Sequence, residues 1–145
     1  EIIEDKISSV EKELIAFCFA KNIKVRKFIK TYLNVEWIQS VLIQNIYNQI
    51  YMHLSSESIV EPEIIMNELK DDLSRNLMAE LIFDELEVNK TMAIDCVTRI
   101  EQNMIQTQLN NLRTKLKTDD SMELVQKITE LQKNKNDIKK KYLDV

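Results

Sequence analysis

Residues 90–117 read KTMAIDCVTRIEQNMIQTQLNNLRTKLK, and their reading decides the fold class. No glycine or proline interrupts them, and the run is roughly twice a typical helix of about 11 to 12 residues. In its second half Ile105, Leu109, Leu112 and Leu116 recur at alternating four- and three-residue spacing, the narrow seam of a helix that contacts one other helix. Beyond Thr118, Asp120 and Glu123 stand at box-like capping spacing. Leu124, Ile128, Leu131, Ile138 and Tyr142 then form a second narrow seam, broken by Lys135. Two seams joined by a polar turn at Thr118 to Ser121 predict an antiparallel helical hairpin.

Working back from that run, the earlier sequence keeps a helical period and widens it. Ser8 with Glu11 has the spacing of a capping box. From Val10 onward Leu14, Phe17 and Cys18, joined by Ile15, Ala16 and Phe19, cover most of a helix and place it at the centre of a core. A shorter helix over about 23–33 presents Val25, Phe28, Ile29 and Tyr32. Asn34 separates it from a longer one in which Ile43, Ile46, Tyr47, Ile50, Tyr51 and Leu54 share a face. Ser55-Ser56-Glu57-Ser58 reads as loop, and Pro62 suits the first turn of a helix ending near Leu69. Asp71 and Asp72 mark another start, with Leu77, Met78, Leu81 and Ile82 as its stripe. The acidic stretch beyond Phe83, with Asp84, Glu85 and Glu87 around Leu86, leads to a break at Asn89.

The expected architecture is all-α. Residues 1–8 are a linker remnant, 9–100 a bundle of about five helices that leads into a long connecting helix, and 101–145 the antiparallel helical hairpin. The composition supports this: there is no glycine and one proline in 145 residues, so Gly-rich phosphate loops and tight strand turns have nothing to be built from. Helix ends then fall to other residues, and Asn22, Asn34 and Asn89 are candidates for left-handed terminating positions.

Catalytic chemistry finds no constellation. His53 is the only histidine, at the end of an apolar helix. Asp71-Asp72 and Asp119-Asp120 sit at predicted helix starts, where negative charge is favoured in any case. Cys18 and Cys96 lack metal spacing and read as reduced core residues. No metal or cofactor is expected, and the chain is read as a binder and not an enzyme. Trp37 reads as core with interface anchor as the alternative, and Met66, Met78, Met92 and Met104 make no single stripe. Net charge is −4 but uneven: Glu1 to Asp95 holds 10 basic and 17 acidic residues, Cys96 to Val145 10 and 7. That balance points away from nucleic acid, and Lys139-Lys140-Lys141 reads as a solvated helix end. No run reaches the roughly 20 apolar residues that span a bilayer, so a cytoplasmic protein is expected. A start at Glu1 and not at Met suggests part of a longer one.

In its residues as well as its order of helices the chain resembles the C-terminal helicase-binding domain of bacterial primases of the DnaG type. Ser9-Val10-Glu11-Lys12-Glu13-Leu14-Ile15 resembles the family's first bundle helix, and Ala93-Ile94-Asp95-Cys96-Val97-Thr98-Arg99-Ile100 the start of its long helix. Leu109-Asn110-Asn111-Leu112, Met122-Glu123-Leu124-Val125 and Glu130-Leu131-Gln132-Lys133 are similar to its closing hairpin. The resemblance covers the chain from about Ser8 and rests on soft helical patterns. It implies a non-catalytic domain of a bacterial protein at the replication fork, whose hairpin attaches to the N-terminal region of the hexameric replicative helicase while the bundle modulates that helicase. Thr129, Glu130, Leu131 and Lys133 match the segment that makes the attachment, and helical spacing adds Lys127, Asn134 and Ile138 as neighbours. An opened hairpin turn could instead give a domain-swapped dimer. Two further readings remain open: the N-terminal domain of a replicative helicase, and a coiled-coil adaptor that oligomerises through its last helices.

Overall fold

The structure is a computed structural model that describes residues 6–81, 87–119 and 121–145. Among them the chain is all-helical, with seven α-helices and no strand. These are α1 Ser9–Phe17, α2 Ile23–Tyr32, α3 Val41–Tyr51, α4 Pro62–Glu68, α5 Asp72–Glu80, α6 Lys90–Leu116 and α7 Met122–Asp137. Short 3-10 turns stand at Val35–Trp37 and Ile138–Tyr142. The chain divides into two compact units, Glu1–Val97 and Thr98–Val145, and the boundary falls within α6. The expected positions of Ile82, Phe83, Asp84, Glu85, Leu86 and Asp120, and of the linker before Lys6, lie outside the described residues.

Every helix start but that of α4 is written in a side chain that accepts an otherwise orphaned backbone N–H. Ser8 Oγ accepts from Glu11 N at 3.3 Å, Ser40 Oγ from Ile43 N at 3.2 Å, and Asp71 Oδ2 from Ser74 N at 2.9 Å. Pro62 occupies the first turn of α4, where its missing N–H costs nothing. The three asparagines do the opposite of what the missing glycines suggest. Asn22 accepts from Lys24 N, Asn34 from Glu36 N and Asn89 from Met92 N, so all three open helical segments and none ends one. No described residue has positive φ. Two helices end in extended backbone at buried leucines, Leu33 after α2 and Leu69 after α4, while α1, α3 and α7 end at residues that stay right-handed, Cys18, Met52 and Ile138. Neither kind of end requires a left-handed residue.

In the first unit α3 is the centre, packed against α1, α4, α5 and the 3-10 turn at Val35. Ile43, Ile46, Tyr47 and Ile50, the period read from the sequence, are its buried face. The expected Leu77, Met78 and Leu81 stripe of α5 is buried, as are both cysteines, which are reduced. Burial, with Cys96 nearby, pushes the Cys18 thiol well above its ordinary range.

Two buried charges tie the unit together. Glu11 supplies the first half of the expected capping box through its N–H, but its carboxylate turns away. Its oxygens accept instead from Gln39 N at 2.8 Å and Ser40 N at 3.1 Å, bonding α1 to the start of α3. Arg26 is 1% exposed, and its guanidinium is spent on backbone carbonyls. Nε donates to Ala20 O at 3.0 Å, Nη1 to Leu54 O and Ser56 O, and Nη2 to Glu57 O at 3.1 Å. A five-donor fork can serve several carbonyls of one irregular loop at once, which a lysine cannot. Arg26 thus holds the Ser55 to Glu57 loop that the sequence marks only as a break.

Candidate partner-binding hairpin

The second unit is built from the later part of α6, α7 and the terminal 3-10 turn. Its polar pairs fix the direction of α7. Glu101 pairs with Lys141, Gln106 with Lys135 and Arg113 with Gln132. As numbers rise on α6 they fall on the other strand of the hairpin, so the two are antiparallel. Ser121 Oγ accepts from Leu124 N at 3.3 Å and is the cap of α7, one residue later than the Asp120 expected from spacing. A serine oxygen reaches the N3 amide of the helix it opens, and Ser121 stands three residues before Leu124.

Burial in this unit is graded. Ile105, Leu109, Ile138 and Tyr142 are buried, whereas Leu112, Leu116, Leu124, Ile128 and Leu131 toward the turn are only half-buried. No residue of α7 is buried. The seam therefore closes at its open end and stays thin toward the turn. The Lys135 interruption has a physical reason: its ammonium bonds Gln106 Oε1, a polar pair inside an apolar seam that penalises any slip of one helix past the other. The Glu101 carboxylate has the same effect. Lys141 Nζ lies 2.8 Å from both of its oxygens, and the Glu101 side chain is only 9% exposed. With Lys140 paired to Asp137 at 3.3 Å, two of the three terminal lysines are engaged with carboxylates.

Six of the seven residues singled out from the sequence lie on α7. Lys127, Thr129, Glu130, Lys133 and Asn134 are exposed and Leu131 is half-buried. Leu131 and Asn134 border a groove of about 440 Å³ whose other walls include Met104, Gln108 and Asp137. Thr129 and Lys133 stand on the opposite side, following Met122 and Val125 at helical spacing. Ile138 lies beyond α7. It is 0% exposed at the end of the seam of Leu124, Ile128 and Leu131, seven residues after Leu131 and on the same face, so it supports the hairpin and offers no surface. Met122 and Val125, 73% and 40% exposed, were not singled out. Their signal is legible in retrospect, as apolar residues that fall outside the seam of Leu124, Ile128 and Leu131.

Elsewhere the chemistry is sparse. His53 Nε2 lies 3.3 Å from Glu68 Oε1 between α3 and α4, and Asp71 is a cap whose carboxyl is held below its usual range by the bonds from Ser74. No group of three His, Cys, Asp or Glu among the described residues could hold a metal ion. No helix among them is long and apolar enough to cross a membrane. No family model, curated protein or solved structure matches the chain.

Proposed function

We propose that this chain is a docking domain that attaches a bacterial primase to the N-terminal region of the hexameric replicative helicase, with the exposed face of α7 as the contact. One observation carries the docking role: α7 is 16 residues long and buries none of them in its own chain. A helix held so lightly, yet fixed in register by Lys135 and Lys141, is a preformed amphipathic element for a partner's groove. Order in the free state lowers the entropy lost on binding. The choice of partner rests on the resemblance of the helix order and of the α1, α6 and α7 segments to the primase domain.

The two faces of α7 divide the work. Thr129 and Lys133, continuing the Met122 and Val125 row, offer apolar contact with a charged end, while Leu131 and Asn134 edge the groove beside α6. The test is titration of the chain with the isolated N-terminal domain of a replicative helicase, alongside Lys133→Glu and Leu131→Asp. Saturable binding weakened about tenfold or more by Lys133→Glu is the expected result. Lys133 is exposed, so this variant leaves the hairpin intact. Folded chain that fails to bind, or binding indifferent to both changes, would remove the assignment.

A further inference from the structure

The first unit carries a second surface, unlike the hairpin in chemistry. A cleft of about 560 Å³ is lined by Tyr32, Trp37, Tyr47 and Tyr51, with Lys30 and Asn48 among its other walls. Three of the four tyrosines and the only tryptophan of the chain thus meet in one place. Tyr47 is buried, but Tyr32 and Tyr51 are 38% and 42% exposed and Trp37 half-buried, so part of each of these three side chains meets solvent. Lys30 Nζ stands 5.0 Å from the centre of the Tyr51 ring.

The charge around the cleft departs from that of its unit. Between Leu14 and Val35 there is no acidic residue and there are five basic ones, Lys21, Lys24, Arg26, Lys27 and Lys30. Arg26 is buried, but Lys24 and Lys27 are exposed and precede Lys30 at three-residue intervals along α2, with the exposed Lys21 just before the helix. Neighbours three apart on a helix lie about 5–6 Å from one another, so the lysines form a row. The row ends at the aromatic cleft. The acidic balance of residues 1–95, which points away from nucleic acid, averages over this segment.

We propose that the α2 lysine row and the aromatic cleft form a site for single-stranded nucleic acid, with phosphates along Lys24, Lys27 and Lys30 and a base against the open aromatic rings. Cationic tracks that lead to stacking platforms are how single strands are held without sequence preference. A duplex keeps its bases stacked and offers the cleft no free ring face. An acidic peptide would satisfy the lysines but leaves the concentration of aromatic rings unused.

Trp37 makes the site its own reporter. A short oligothymidylate titrated into the chain at low salt is expected to quench Trp37 emission saturably, because a base reaches the rings beside it. The affinity should fall with salt at a log–log slope of about −2, as three phosphate contacts on a single strand require. Lys24→Gln with Lys27→Gln, both at exposed positions, should reduce that slope and weaken binding. Tyr51→Leu should weaken it about tenfold at unchanged slope. Absence of quenching up to about 100 μM at low salt would overturn the proposal. So would equal binding of a duplex of the same length, or equal quenching by polyglutamate, which would make the surface an acidic-peptide site.

Discussion

Replacing Lys141 by methionine removes the ammonium that lies 2.8 Å from both Glu101 oxygens while keeping most of the aliphatic stem. The Glu101 side chain is 9% exposed and that of Lys141 48%, so the pair belongs to neither the buried nor the surface limit. Exposed pairs contribute about 0–1 kcal/mol, and stranding a fully buried partner costs about 3–5 kcal/mol. With one partner half in water, the loss should be about 1–3 kcal/mol. Most of that cost is the stranded carboxylate, so adding Glu101→Gln to Lys141→Met is expected to return about half of it. Hydrogen exchange of the α7 amides reads the effect directly, since the helix has no buried side chain of its own to resist opening. Exchange over 122–137 should accelerate about 5- to 150-fold in Lys141→Met and by less in the double variant. Unchanged protection in the single variant, or faster exchange in the double, would refute the reasoning that the pair fixes the hairpin.

Arg26→Met leaves the carbonyls of Ala20 and Leu54 buried without their donor, while those of Ser56 and Glu57, in an exposed loop, can take up water. A loss of about 2–4 kcal/mol is expected, read from the denaturant midpoint of Trp37 emission in the same unit, and a loss under about 0.5 kcal/mol would mean that water already serves the buried pair. Tyr47 Oη is buried without a hydrogen-bond partner among the described residues, so Tyr47→Phe should be neutral or stabilising by about 1 kcal/mol. Clear destabilisation would show that the hydroxyl is bonded. Burial raises the Cys18 thiol far above the range in which thiolate forms at neutral pH, so its alkylation in the folded chain should stay slow, without the usual rise between about pH 7 and 9. Fast native-state modification of Cys18 would contradict its place in the core.

The elements that sequence reading located were those marked by a local cause. Ser8, Pro62 and Asp71 each name a helix start because the orphaned N–H groups there are served, or left out, by a residue within the first turn. The α3 period was legible because burial of one face is periodic in itself. What escaped was decided between segments distant in the chain. Glu11 was read as a reciprocal cap for Ser8, but its carboxylate bonds Gln39 and Ser40, a pairing no local spacing encodes. Arg26 lay unnoticed inside a basic stretch, although its loop depends on it. The asparagines were misplaced by analogy with glycine: with no left-handed residue among those described, helices end in right-handed or extended backbone, and the asparagine oxygens open helical segments instead. On the hairpin, the seams placed Leu131 and Lys135 on α7 and Ile138 and Tyr142 among the buried residues, but the bond from Lys135 to Gln106, 29 residues away, is decided by the packing of the two helices. Likewise, net charge concealed the α2 lysine row.

The most direct test of the docking role is a hydrogen-exchange footprint of the whole chain, free and saturated with the helicase N-terminal domain. Protection over 122–137, strongest around Thr129 to Lys133, is the predicted result. Protection confined to residues before Val97, or none at any concentration of the helicase domain, would contradict it.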